Sequence, residues 1–312
     1  MKDPRGFAVI DKPAGITSHD CVSRLRKLFG IKRIGHGGTL DPSVTGVLPI
    51  AIGEATRLLP YLPGDKTYLG TIQLGLSTST DDIEGEATEA KPWPKLSEDD
   101  LNRHLNKFRG IIKQRPPQVS SIHFKGERAY KRVLRGENLI LPPREREIYK
   151  LSLLDWNQEL GQLKIQINCE AGTYIRSIAR DLGELLECGG CLAELRRIKA
   201  MGFNEIQAEP FPPWNKNKKT TLPKIITPIN GLKHIPSLQL RDEKELLLWR
   251  TGRSINSCVN QYKNSFMKNY MQSIHKEQGV VVVTNCEEEF EGIGLLDNNF
   301  RLQPKIVFNA IG

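Results

Sequence analysis

A stiff loop that leads into an apolar run is the feature that most constrains this chain. The stretch from Arg33 to Gly53 reads RIGHGGTLDPSVTGVLPIAIG and places one carboxylate, Asp41, directly before Pro42. Proline fixes its own backbone and restricts the residue before it, so this carboxylate has little freedom. The motif predicts a firmly held acid in a loop that enters a strand. Taken alone, it is explained better by an aspartate that caps a turn.

The apolar pattern predicts a mixed α/β chain. GFAVIDK, GVLPIAIG and KTYLGTIQLG are typical of strands, and the third places Tyr68 on a sheet. Between the first two runs, we expect a helix that Ser18 caps and Gly30 ends. EIYKLSLLDW and QLKIQINCE predict two further strands, and AGTYIRSIARDLGELL predicts a helix that Thr173 caps.

The length and the C-terminal pattern predict two domains. A chain of 312 residues exceeds what one small core fills, and suits a large domain with an appendage. The Pro- and Lys-rich stretch PFPPWNKNKKTTLPK is expected to lead to a linker. From about His234 onward, short apolar runs separated by turn residues predict a small β-barrel-like domain.

The distribution of charge indicates a polyanionic partner. The chain carries a formal net charge of +9. Residues 113–150 hold ten lysines and arginines against four glutamates, interleaved with His123, Phe124 and Tyr130, which can stack on bases. A solvated basic loop and helix explain this segment equally well. STSTDDIEGEATEAKPWPK is acidic and broken by prolines, so we expect an exposed connection before a helix that Ser97 starts and that runs to Phe108.

Several classes of function are disfavoured by missing motifs. No apolar run approaches a membrane span, and the N-terminus lacks the apolar core of a signal peptide, so a cytoplasmic location is expected. The CGGC at Cys188 to Cys191 lacks a second ligand pair, and neither a phosphate-binding GxxxxGK[ST] nor a GxSxG motif occurs. We therefore expect no metal and no cofactor. What remains is a carboxylate nucleophile or base.

Arg176 stands in the first turn of its predicted helix, where a cation opposes the helix dipole. It should therefore have an acid partner or a ligand. A carboxylate that reacts at neutral pH must stay ionised, and a neighbouring arginine favours that form. Asp41 paired with Arg176 would meet both requirements.

Six motifs resemble the TruB family, the bacterial tRNA pseudouridine-55 synthases, in order and spacing. The resemblance looks continuous from about Gly6 to Phe203, and the C-terminal part is similar to a PUA-like domain more weakly. One departure is Gly37, where the family pattern has Thr or Ala and where the loop could be looser. The motifs are DKPAGITSHDCV, GHGGTLDPSVTGVLPIAIGEATRL, KTYLGTIQLGLSTSTDDIEGE, PPQVSSIHFKGERAYKRVLRGE, GTYIRSIARDLGELL and ELRRIKAMGF.

The resemblance implies a fold and a domain division. It implies a pseudouridine synthase fold of mixed α/β (α+β) type with a mostly antiparallel central sheet, followed by a small PUA-like β domain. The catalytic domain would cover residues 1–232, with a tRNA-binding basic segment at 109–150, and the RNA-binding domain would cover residues 233–312.

The resemblance also implies a reaction and a set of residue roles. Uridine 55 in the T-loop of tRNA would be flipped out and isomerised to pseudouridine. Asp41 would be the catalytic acid, Tyr68 would stack on the uracil and assist proton transfer, and Arg176 would pair with Asp41. The residues expected to bind substrate or shape its site are His36, Leu195, Lys12, Lys125, Arg128, Tyr130 and Lys131.

We expect the chain to act as a monomer on the T-arm and acceptor stem of tRNA, without a guide RNA. Two alternatives stay open. One is a guide-dependent relative of the dyskerin type. The other is a non-catalytic module that binds or folds tRNA, in which Asp41 is only structural.

Overall fold

The structure is a computed structural model that describes residues 4–124, 126–213, 221–256 and 278–311. Within those residues, the helices are α1 (Ser18–Phe29), α2 (Glu98–Leu105), α3 (Ala129–Val133), α4 (Ile175–Leu185), α5 (Pro228–Gly231) and α6 (Glu243–Arg250). Short 3-10 helices lie at Gly53–Tyr61, Asn106–Phe108 and Glu205–Gln207.

The strands of the described ranges lie before, between and after these helices along the chain. They are β1 (Gly6–Lys12), β2 (Ile34–His36), β3 (Thr45–Ile52), β4 (Lys66–Leu74), β5 (Leu76–Thr78), β6 (Ala87–Ala90), β7 (Gly110–Gln114), β8 (His123–Phe124), β9 (Glu127–Arg128), β10 (Arg144–Asn157), β11 (Gln162–Cys169), β12 (Gly190–Ala200), β13 (Phe203–Asn204), β14 (Glu209–Pro210), β15 (Ser237–Gln239), β16 (Gln278–Thr284), β17 (Phe290–Asp297) and β18 (Leu302–Val307).

One large sheet forms the body of the protein. Its strands follow the order β14-β1-β3-β12-β4-β11-β10-β7, with β2 paired to β3 and β13 paired to β12. Only the β1/β14 and β12/β3 pairs within it are parallel in the described residues. The predicted mixed fold with a mostly antiparallel central sheet is therefore confirmed.

The sheet brings distant segments to one place. β12 lies between β3 and β4, so that Arg197 stands opposite Gly46 on one side and Tyr68 on the other. Leu195 stands opposite Gly70, which leaves room for it because glycine has no side chain. The strand after the Asp41 loop and the strand that carries Tyr68 thus flank the same central strand.

Both predicted helix caps next to the site are wrong by one residue or more. Thr17, rather than Ser18, caps α1: its side chain accepts from the backbone of Asp20, and Asp20 binds back in a capping box. Tyr174 precedes α4 without a side-chain cap, and the hydroxyl of Thr173 donates instead to the carbonyl of Glu170. The predicted ending of α1 at Gly30 and the start of α2 after Ser97 are confirmed.

The C-terminal part forms a separate four-stranded sheet in the order β15-β16-β17-β18. This sheet fits the expected PUA-like β domain. It packs on the body through an apolar cluster that joins Phe7 and Leu232 to Phe290 and Phe308. The domain boundary between residues 232 and 233 stays a prediction, and the NKNKK tract lies outside the described residues.

None of the helices in the described ranges is both long enough and apolar enough to cross a membrane.

Candidate active site

The Asp41 carboxylate is held by Arg176. Arg176 Nη2 lies 3.0 Å from Asp41 Oδ2, and Arg176 Nη1 lies 3.3 Å from the carboxylate of Asp82. The same guanidinium donates to the carbonyl oxygens of Thr80 and Val119, at 2.9 and 3.0 Å. Arg176 is buried, whereas Asp41 is almost half exposed. The predicted acid partner of Arg176 is confirmed.

The turn at Asp41 is closed by its backbone, because the Asp41 carbonyl oxygen accepts from the amide of Val44 at 3.1 Å. The carboxylate is consequently left to face Arg176. A turn-capping role for the side chain is therefore not needed to explain why an acid stands before Pro42.

Three buried polar side chains hold the loop around Asp41. The hydroxyl of Ser18 accepts from the amide of Leu40 and donates to its carbonyl oxygen, at 2.9 and 3.2 Å. Lys12 Nζ donates to the carbonyl of Pro42 at 2.9 Å. Arg197 Nη2 donates to the carbonyl of Gly38 at 3.2 Å. Residues on both sides of Asp41 are thus fixed from three different elements.

Lys12 is fully buried and saturated by backbone carbonyls. Besides Pro42, its ammonium donates to Pro13 and Ile16, at 2.8 and 2.7 Å. Burial lowers its pKa from the ordinary value. With its three protons engaged, Lys12 shapes the loop, in agreement with the expectation that it does not react.

Tyr68 lies in the wall of a cavity beside Asp41 and is only 7% exposed. It interacts through its side chain with the guanidinium of Arg197, and burial raises its pKa. Arg197 therefore contacts both the ring that faces the cavity and the loop that carries the acid. One buried cation couples the two.

Two adjoining cavities of about 550 and 480 Å³ meet at Asp41. Both are lined by Asp41, Asp82, Arg176 and Leu195. Tyr68, Tyr130 and Tyr174 line the smaller cavity only. Their volumes fall in the range of ordinary ligand sites, and their walls combine apolar and charged side chains.

The family model for the N-terminal domain of TruB family pseudouridylate synthases matches residues 26–175. The chain is 53% identical over 313 residues to tRNA pseudouridine synthase B of Parasynechococcus marenigrum (strain WH8102), and 50% identical over 321 residues to that of Prochlorococcus marinus (strain MIT 9313). Both matches cover all of this chain and all of the relative.

This chain belongs to the TruB family.

Solved structures carry the same fold. A chain in the structure of an H/ACA RNP bound to a substrate RNA containing 2′-deoxyuridine superposes with a TM-score of 0.66, at 22% identity, over 97% of this chain and 84% of that one. A chain of a Cbf5-Nop10-Gar1 complex gives the same values. At this identity the likeness establishes the fold alone.

Some predicted site residues of this TruB-family chain lie away from the cavities. His36, on β2, lines neither cavity; its Nδ1 is buried without a hydrogen-bond partner among the described residues, and burial lowers its pKa. Arg128 and Lys131 are exposed on the short β8/β9 hairpin and α3 and line neither cavity, whereas Tyr130 does. Lys125 lies outside the described residues.

The basic segment of this TruB-family chain is partly neutralised by its own acids. Arg132 pairs with Glu137, and Arg135 pairs with Glu127. Phe124 packs beneath Arg132, whose guanidinium carbon lies 5.5 Å from the ring centre. Phe124 is thus engaged with Arg132 within the segment.

Sequence reasoning missed Asp82, Tyr174, Lys66 and Arg197. The acidic stretch was expected to be exposed throughout, which is wrong at its start, because Asp82 pairs with Arg176 and is largely buried. Arg197 lies in a strand that is otherwise partly buried. A cation in such a strand must have partners, and this requirement could have pointed to Arg197.

The space beside Gly37, where this chain departs from the family pattern, is filled by a residue from elsewhere in the chain. A β-carbon at that position would clash with the sulfur of Met201, which occupies the space.

In the described parts of the chain, no group of His, Cys, Asp and Glu residues is arranged to hold a metal ion.

Proposed function

We propose that this chain isomerises uridine 55 in the T-loop of tRNA to pseudouridine. The observation that carries the proposal is the Asp41 carboxylate, 3.0 Å from Arg176 at the junction of two cavities. Membership of the TruB family supports the reaction class. Full-length relatives called tRNA pseudouridine synthase B support tRNA as the substrate.

The reaction is an isomerisation. The bond between N1 and C1′ breaks, the uracil turns within the cavity, and a bond forms between C5 and C1′. The proton on C5 leaves, and N1 gains one from solvent. Since the proton lost from C5 balances the proton gained at N1 and no electron is transferred, the reaction needs neither a cofactor nor a metal.

Asp41 is the group that acts on the nucleotide. It attacks C1′ or C6, or it removes a proton from C2′. Arg176 supplies a counter-charge and a fixed orientation, because two of its nitrogens are already bound to the carbonyls of Thr80 and Val119. Orientation of this kind is worth orders of magnitude in rate.

The cavity offsets the cost of extracting the base. Unstacking a nucleotide costs a few kcal/mol, which an aromatic and apolar pocket can return. Tyr68 supplies the platform for the uracil and assists proton transfer at C5, and Leu195 supplies an apolar wall. His36, which lies on β2 next to the loop, takes part in extruding the base.

The T-arm is bound by the basic segment 109–150, through Lys125, Arg128, Tyr130 and Lys131. The C-terminal β domain contacts the acceptor stem. The chain works as a monomer in the cytoplasm and needs no guide RNA. Affinity for tRNA should fall with salt by roughly 0.7 to 0.9 log units per log unit for each phosphate contact.

The test is tritium release from an unmodified tRNA transcript labelled at C5 of uracil, with no other RNA present. Wild type should release tritium, and neither Asp41→Asn nor a transcript with cytidine at position 55 should do so. Retained tRNA binding by Asp41→Asn would show that the variant folds.

Each alternative has its own outcome in that assay. Release that requires an added RNA would favour a guide-dependent enzyme. If the folded wild type binds tRNA but releases no tritium, the enzyme proposal fails and a binding module remains. Release from the cytidine-55 transcript would place the target uridine elsewhere.

A further inference from the structure

Lys66 is a cation in the smaller cavity to which the roles above give no task. It begins β4, two residues before Tyr68, so the two side chains project from the same face of the sheet. Both line the cavity together with Asp41 and Arg176. The Lys66 ammonium lies against Gly38, because a β-carbon added to that glycine would stand 2.9 Å from Lys66 Nζ. Lys66 thus lies next to the loop that carries the acid.

The ammonium of Lys66 has no protein partner in the part of the chain that the structure describes. No carboxylate or carbonyl there accepts a hydrogen bond from its Nζ, in contrast to Lys12, whose ammonium is bound by three carbonyls. Lys66 is only partly exposed. A cation that loses part of its water without an acceptor in the protein is costly, and a ligand that brings an acceptor to it removes that cost.

The surroundings of Lys66 increase that cost. Burial, together with the like charge of Arg197, lowers the pKa of Lys66 to about 8. The other groups that face it titrate elsewhere: burial raises the pKa of Cys169 to about 11 and that of Tyr68 above its usual value, and burial lowers the pKa of His36. Lys66 is therefore the group of this cluster that changes charge under mildly alkaline conditions.

We propose that Lys66 binds an anionic oxygen of the target nucleotide. This inference rests on the proposed function. Two oxygens have the required chemistry: a backbone phosphate oxygen beside the flipped nucleotide, and a uracil carbonyl oxygen that gains negative charge as the ring reacts. In either case the cation is unpaired in the free protein because the substrate supplies its partner.

The experiment compares wild type with Lys66→Met, Lys66→Arg and the control Lys107→Met, which removes one exposed lysine. Tritium release is measured in single turnover at saturating enzyme, and tRNA affinity is measured at several salt concentrations. If Lys66 binds the uracil oxygen, Lys66→Met should slow release by roughly 10² to 10³-fold with unchanged affinity, and Lys66→Arg should recover part of the rate.

If Lys66 binds a phosphate, Lys66→Met should instead weaken tRNA affinity and reduce the salt slope by about one contact, with little change in the saturated rate. For a uracil contact, the wild-type rate should also fall above about pH 8, and this fall should be absent in Lys66→Arg, whose charge persists.

Lys66→Met with a rate and an affinity within twofold of Lys107→Met would overturn the proposal. A wild type that releases no tritium would defeat the proposed function, whereas an active wild type with a fully active Lys66→Met defeats only the role of the lysine. If Lys66→Met fails to fold, Lys66→Gln and the pH profile of Lys66→Arg decide the same question.

Discussion

Arg197 donates a hydrogen bond from Nη2 to the carbonyl oxygen of Gly38, 3.2 Å away, and so fixes the loop three residues before Asp41. The same guanidinium donates from Nε to the carbonyl of Val47 at 2.8 Å, beyond the loop on β3. Arg197 is fully buried. It therefore acts on Asp41 only by positioning its loop.

Replacing Arg197 should cost stability and activity together. Arg197→Met leaves the carbonyls of Gly38 and Val47 without their donor. The free energy of unfolding should fall by about 1–3 kcal/mol for each of these acceptors that water does not reach. Urea unfolding measures the loss, and Arg103→Met, at an arginine whose side chain is 74% exposed, is the control. Equal unfolding free energies for the two variants would contradict this account.

Gly46 should not tolerate a side chain. Its φ is +105°, and a β-carbon there would collide with the backbone of Arg197 across the β3/β12 pair. Gly46→Ala is therefore expected to lower the melting temperature by several degrees and to reduce tritium release. Gly64→Ala is the matched control, because Gly64 is exposed and has open space around it. A Gly46→Ala protein as stable as Gly64→Ala would show that the two strands can separate freely.

Asp82 should orient Arg176. In Asp82→Asn, the guanidinium loses one of its two carboxylate partners and is held toward Asp41 less firmly, by the carbonyls of Thr80 and Val119, so we expect the rate of tritium release to fall roughly 10- to 100-fold. Asp81→Asn is the comparison, since Asp81 pairs with Arg180 instead, at 2.8 Å. A larger loss of rate in Asp81→Asn than in Asp82→Asn would exclude the orienting role.

Ser18 should stabilise the loop through two hydrogen bonds to Leu40. Ser18→Ala leaves both backbone groups of Leu40 without this partner in a buried place, and the free energy of unfolding should fall by about 1–3 kcal/mol. Ser23→Ala makes the same chemical change in the same helix. Chemical denaturation of both variants tests the prediction, which fails if the two losses are equal.

Lys66→Met should be at least as stable as wild type at neutral pH while it loses function. The folded protein holds the Lys66 proton with a pKa of about 8, against an ordinary value of 10.5. Below pH 8 both states are protonated, and the folded state bears the cost of a buried charge. Between about pH 8 and 10.5 the unfolded state binds more protons, so the stability of wild type rises with pH.

The melting temperatures of Lys66→Met and wild type should consequently converge as the pH is raised through that interval. Lys107→Met, which removes an exposed lysine, should show no such trend. A variant less stable than wild type at pH 7 would mean that the ammonium has a stabilising partner in the folded protein.

The sequence by itself determined the local features. The run after Pro42 is typical of a strand, and glycine at position 30 ends α1 because it adopts the left-handed backbone that a helix end uses. The dipole argument at Arg176 called for an acid partner or a ligand, and Asp41 is such an acid. These features follow from neighbours in the chain. The residues already suggested Asp41 as that acid, and the resemblance of six motifs implied the same pairing.

The tertiary structure alone decided what holds the acid in place. Lys12, Ser18 and Arg197 reach the Asp41 loop from 30, 22 and 159 residues away. Ser18 was expected to cap its own helix, as its position allowed, yet Thr17 caps the helix and leaves the Ser18 hydroxyl to Leu40. Periodicity assigns a residue to a face of an element. Only the packing of the sheet determines which buried polar groups meet there, because each must find its partner across strands distant in sequence.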